Sequence, residues 1–152
     1  MNLDQLHDFI LTAKAASYVG DGQPVPSCRV ESHDLAFALG RFRYLDSYFG
    51  GSDFIGEEIA YEDEHPVWGM NYYGTILNPE KITGAQAGAM IKASLAPMYA
   101  TGRFLGGWKH ELGDLVYHDT SEGDLTHFTG YEWIEQDGEK VYELFYHGGL
   151  IH

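Results

Sequence analysis

The segment Phe54–Gly74 recurs without a gap 74 residues later as Phe128–Gly148. Phe54, Gly56, Glu58, Asp63, Val67, Tyr72 and Gly74 fall on Phe128, Gly130, Glu132, Asp137, Val141, Tyr146 and Gly148, seven identities in 21 positions. Trp68 over Tyr142 and Met70 over Leu144 agree in character. The offset is close to half of the 152 residues, so the chain reads as one domain built from a duplicated α+β unit, with halves of about 1–77 and 78–152. Duplication places a pseudo-twofold axis between the halves, and a cleft along that axis is where a ligand is expected.

Periodicity supplies the elements. Leu3, Leu6, Phe9, Ile10 and Ala13 recur at helical spacing and predict a helix over 3–17, with Asn2 and Gln5 as its capping pair. Gly22, Pro24 and Pro26 make 20–32 an irregular connection. Four short strands follow: 34–39, 41–49, 54–61 and 67–77. Glycine and acidic turns separate them, as in an antiparallel meander. In the second of these, Phe42, Tyr44, Asp46 and Tyr48 share one face. A second helix is predicted over 83–99 from Ala87, Met90, Ile91, Leu95 and Met98, against the breaking tendency of Gly84, Gly88 and Pro97. Residues 102–107 read as a loop, and 112–118, 125–134 and 140–151 as the last strands, with Asp137-Gly138 as a hairpin turn. The expected fold is α+β, antiparallel meanders with two helices in the order α-ββββ-α-βββ.

Composition excludes several function classes. Twenty-three acids against nine bases give a net charge of −14, which repels nucleic-acid backbones and anionic membranes alike. No stretch approaches the roughly 20 apolar residues of a membrane span. The first residues lack the basic start and apolar run of a signal peptide. A single cysteine, Cys28, permits no internal disulfide and fits a reducing cytoplasm. Exposed meander edges leave room for a homodimer.

Aromatic residues reach 14% of the chain and gather with glycine in Trp68-Gly69-Met70-Asn71-Tyr72-Tyr73-Gly74 and Phe145-Tyr146-His147-Gly148-Gly149. Glycine within a strand marks a bulge or a close approach by another group. The candidate ligand residues are Asp46, Glu58, Trp68, Asn71, Tyr72, Glu132, Tyr146 and His147, with the rings as walls and the glutamates as anchors. Paired carboxylates among aromatic rings suit an organic cation. The competing reading pairs Glu58 and Glu132 with Arg41, Arg43 or Lys140 across strands. His118, His127 and His147 lie in three late strands, but no HxH or HxxxH spacing supports a metal, and none is expected. No glycine-rich phosphate loop, nucleophile elbow or cofactor motif is present. Acid–base pairs such as Asp46 or Glu58 with His147 can be drawn, yet the reading leans away from an enzyme.

The runs Tyr44-Leu45-Asp46-Ser47-Tyr48-Phe49-Gly50-Gly51, Phe54-Ile55-Gly56-Glu57-Glu58, Pro66 through Gly74 and Tyr146-His147-Gly148-Gly149-Leu150 resemble a bacterial family classed as a domain of unknown function. The resemblance extends to Ser32-His33-Asp34-Leu35 and Gly130-Tyr131-Glu132. Members occur alone or behind a repressor-type helix-turn-helix; this chain departs from the fused form by opening at the domain's first helix. The resemblance implies a sensor-like role and carries no assigned residues. The expectation is a cytoplasmic bacterial sensor or carrier that encloses a small molecule between the two pseudo-equivalent sheets. The alternatives are a protein-interaction module for a transcriptional regulator and a small acid–base enzyme.

Overall fold

A computed structural model describes residues 1–20 and 22–152. Helix α1, Leu3–Lys14, begins at Asn2, whose side chain accepts the Gln5 amide. It runs directly into a π-helical turn, Ala15–Val19. The first half continues with β1 Gln23–Val25, β2 His33–Leu39, β3 Phe42–Gly50, β4 Phe54–Glu62 and β5 His65–Ile76. Helix α2, Gly84–Ala100, opens the second half behind a reciprocal Thr83–Gln86 capping box. Strands β6 Trp108–Leu112, β7 Leu115–Asp124, β8 His127–Gln136 and β9 Glu139–Leu150 complete it. Each half is therefore a helix followed by an antiparallel meander, as the repeat implies.

Two strands lie outside the sequence reading. β1 sits in the proline- and glycine-rich connection, of which residue 21 is outside the described residues, and β6 follows the 102–107 loop, so the strand expected over 112–118 instead spans the Gly113-Asp114 turn between β6 and β7. Both are short edge strands, and Pro24 in β1 is tolerated because an edge leaves one side of the backbone unpaired. The expected pair of facing sheets is a single sheet of order β1-β2-β3-β4-β5-β9-β8-β7-β6, joined by antiparallel pairing of β5 with β9. Tyr72 stands opposite Tyr146 in that ladder, and these are the same position of the repeat. The pseudo-twofold axis thus passes between them. Pairing obeys it on both sides: Phe54 faces Gly74 as Phe128 faces Gly148, and the register slips after Ala60 as it does after Ile134.

Both helices cover one face of this sheet. α1 packs on β2 and β3, and α2 packs on β6 and β7 and against the π turn. Leu6, Phe9 and Ile10 join Tyr44, Trp68, Tyr142, Met90 and Ile91 in one core. The opposite face has no cover from either helix. Across it runs a row of side chains from neighbouring strands, Ile55, Tyr73, Phe145 and Tyr131. Phe145 is 56% exposed.

The repeated glycines have a steric cause. Tyr72 on β5 reaches over Gly56 on β4 to donate to Asp46 on β3 at 2.6 Å. Tyr146 on β9 reaches over Gly130 on β8 to donate to Asp119 on β7 at 2.8 Å. A Cβ at Gly56 would stand 2.3 Å from the Tyr72 ring, and one at Gly130 would stand 1.8 Å from the Tyr146 ring. Gly130→Ala should therefore displace Tyr146, break its bond to Asp119 and cost about 1–3 kcal/mol as an overpacking change. Thermal denaturation beside Tyr146→Phe checks this: the glycine variant should lose more than removal of the hydroxyl alone.

Candidate functional site

Beneath the helices, where the halves meet, lies a chamber of about 70 Å³. It adjoins a wider antechamber of about 390 Å³ between α2, the π turn and the β3–β4 turn. Tyr18, Phe54 and Tyr72 border both spaces. The sheet contributes Glu58, Tyr72, Asp119, Glu132 and Tyr146 to the chamber, α1 contributes Lys14, and α2 contributes Leu95 and Tyr99. Phe104, from the segment after α2, closes another side.

Four carboxylates are buried on this face, Asp46, Glu58, Asp119 and Glu132. Asp46 stands opposite Glu58 across β3–β4, and Asp119 stands opposite Glu132 across β7–β8. Burying a charge demands a partner. Glu58 has the buried ammonium of Lys14 at 2.6 Å. That ammonium also stands 5.4 Å from the centroid of Phe104 and 5.9 Å from that of Trp68. Glu132 accepts hydrogen bonds from the Tyr117 and Tyr142 hydroxyls, the latter at 3.0 Å. Asp46 and Asp119 accept from Tyr72 and Tyr146. Tyrosine supplies a neutral donor at low desolvation cost, which explains why so many of the eleven tyrosines converge here.

These surroundings shift the acids upward. Burial, reinforced by the Glu58 charge and opposed by the Tyr72 hydroxyl, raises Asp46 to about 7. Burial raises Asp119 to about 6 against the Tyr146 hydroxyl and the charges of Arg103 and Lys14. Burial likewise raises Glu132 to about 7, against Tyr117 and with help from Asp119. Burial also holds the Tyr18 phenol well above its usual range, with Glu132, Asp46 and Glu58 adding to the effect. The acids acting on Tyr18 come from both halves, so the π turn presents it between them. A π turn displaces side chains from the regular helical track and is frequent at functional sites.

Of the residues singled out in the sequence, Glu58, Tyr72, Glu132 and Tyr146 line the chamber, and Asp46 lines the antechamber. Trp68 is fully buried on the same face but packs against Lys14, Phe104 and Phe128 and walls neither space. Asn71 and His147 are a correction. They pair with each other across β5–β9 and are exposed on the opposite face, because strand side chains alternate and both are one residue out of phase with Tyr72 and Tyr146. The cross-strand ion pairs considered for the glutamates are also absent: Arg41 pairs with Glu62, Arg43 with Glu64, and Lys140 donates to the Tyr131 hydroxyl. Among the described residues no group of three or more His, Cys, Asp or Glu could hold a metal ion, and no helix is long and apolar enough to cross a membrane.

Lys14, Tyr18, Tyr99, Tyr117 and Asp119 were not anticipated. For two of them the signal was present: Tyr117-His118-Asp119-Thr120 repeats Tyr44-Leu45-Asp46-Ser47 at an offset of 73. The connection from Gly123 to its partner Phe128 is one residue longer than that from Gly50 to its partner Phe54, which hides the match from a gapless comparison.

Two outcomes follow from this electrostatic arrangement. Glu58→Gln strands a buried ammonium and should cost about 3–5 kcal/mol, while the double variant Lys14→Met/Glu58→Gln should recover most of that in denaturant unfolding. The raised acids give the folded protein protons that the unfolded chain has lost between about pH 4 and pH 7. Stability should therefore fall as pH rises through this window, and Glu132→Gln should flatten the fall by up to about 1.4 kcal/mol per pH unit. Melting curves from pH 4 to pH 8 measure it.

Compared with known families, residues 46–151 match the model of a domain of unknown function, DUF5680. No curated protein and no solved structure matches the chain.

Proposed function

We propose that this chain, which belongs to the DUF5680 family, binds a small organic cation in the chamber beneath its two helices. The observation that carries the reading is the charge imbalance there: Glu58, Asp119 and Glu132 line a space whose basic group is Lys14. Burying three acids beside one ammonium leaves an excess of negative potential in a low-dielectric pocket, and an incoming cation relieves it. Phenol and phenyl rings on the remaining walls attract cations through their negative faces. The antechamber provides the way in and space for the body of the ligand.

A sensor or carrier role fits this site better than catalysis. Tyrosine hydroxyls donate to Asp46, Asp119 and Glu132 and hold them in place, which suits recognition. The resemblance to domains found behind helix-turn-helix segments supports a bacterial sensor whose occupancy is read by a regulator. Enclosure under α1, the π turn and α2 offers a route for such a signal, since a ligand touching all three biases their packing.

Benzylamine, benzyl alcohol and benzoate have similar bodies and differ in charge. At 100 times its dissociation constant a ligand stabilises its protein by about 2.7 kcal/mol, so benzylamine should raise the melting temperature while benzoate should not. Gly88 lines the antechamber, and a Cβ there meets nothing within 4 Å. Gly88→Leu should therefore block entry, remove the benzylamine shift and leave the fold at least as stable. An equal response to benzoate, or none to any cation, would overturn the reading and direct attention to the uncovered face around Tyr73 and Phe145.

A further inference from the structure

The two halves treat equivalent carboxylates differently. In the first, the Lys14 ammonium is held by Glu58 within 2.6 Å. In the second, neither Asp119 nor Glu132 forms an ion pair with a basic side chain among the described residues. Where α1 offers the chamber a lysine, α2 offers Leu95 and Tyr99. Asp119 is only 5% exposed, and its Oδ1 accepts from Tyr146. Its Oδ2 is shut off from solvent and has no hydrogen-bond partner. A buried carboxylate oxygen left unpaired costs free energy that a bound donor would return.

We infer that the Asp119–Glu132 end of the chamber binds the primary ammonium group of a small amine with an apolar body, doing for the second half what Lys14 does for the first. This deepens the cation-binding reading and rests on it. Three features select the chemistry. Asp119 Oδ2 needs a hydrogen-bond donor, so a fully methylated ammonium cannot replace a primary one. The charge of Lys14 is already matched by Glu58, so Asp119 and Glu132 supply the balance for one further positive charge. A neutral alcohol could donate to Oδ2 but would leave that charge unbalanced. Phe54, Met70, Leu95, Phe104 and Leu144 form the apolar remainder of the lining, and the space widens past Phe54 and Tyr72 into the antechamber. An alkyl or arylalkyl body directed that way stays out of water over its whole length.

The test is calorimetric titration of the intact protein with n-butylammonium and with n-butyltrimethylammonium, which share a tail and differ in donors. The primary amine should bind at least tenfold more tightly. Asp119→Asn, which keeps an acceptor for Tyr146, should lower its affinity tenfold or more. Equal or tighter binding of the trimethyl compound to the unaltered protein would overturn the inference while leaving cation binding intact, as would an Asp119→Asn change of less than twofold. Failure of both compounds to bind would remove the cation-binding reading and this one with it. The comparison of the two amines needs no variant, so a folding defect in Asp119→Asn cannot obscure the result.

Discussion

Pairing of β5 with β9 holds the rest of the molecule together. The five-stranded meander β1–β5 and the four-stranded meander β6–β9 would each present an unpaired edge and an apolar face covered by a single helix, a marginal arrangement in water. Joining the two edges satisfies both rows of backbone donors and acceptors and makes the inner face continuous. The helices can then share one core instead of closing two small ones. Because the junction coincides with the pseudo-twofold axis, every inward group near it arrives in duplicate, and so the carboxylates come in two pairs.

The duplication also explains the unusual polarity of the core. Cores ordinarily exclude four carboxylates, since each costs several kcal/mol to bury without a partner. Here the tyrosines repeat with the acids: Tyr72 with Asp46 and Tyr146 with Asp119, each ring lying over a glycine of the intervening strand. Fixed neutral donors keep the acids soluble in the interior without cancelling their charge. The halves diverge at the helices. One supplies a lysine and a π turn carrying Tyr18, the other Leu95 and Tyr99, and this difference turns a symmetric scaffold into an asymmetric pocket.

Much of this was legible before the structure. The gapless repeat identified Gly56/Gly130, Glu58/Glu132 and Tyr72/Tyr146, all of which belong to the site or shape it. Both helices and most strand boundaries followed from periodicity and turn residues, since these depend on local backbone preferences. Asn71 and His147 were misplaced because chemical character alone does not identify a strand face; phase relative to Tyr72 and Tyr146 does. Lys14 escaped notice because a basic residue in the last turn of an amphipathic helix usually faces water and complements the helix dipole. Its burial arises only because Glu58 lies beneath it. Asp119 was hidden by one extra residue in a turn.

By itself the sequence determined the α+β class, the internal repeat, the Asn2 cap of the first helix, the hairpin turns, and the interior placement of Asp46, Glu58 and Glu132. Each of these rests on neighbours within a few positions, on strand alternation, or on internal identity. Only the tertiary structure decided that two meanders become one sheet, that both helices take the same face, and that Glu58, Asp119 and Glu132 open onto one chamber while Asp46 borders its antechamber. It also decided that one pair is matched by a lysine while the other keeps an unpartnered oxygen. These are consequences of distance between groups remote along the chain, and distances of that kind exist only once the chain has packed.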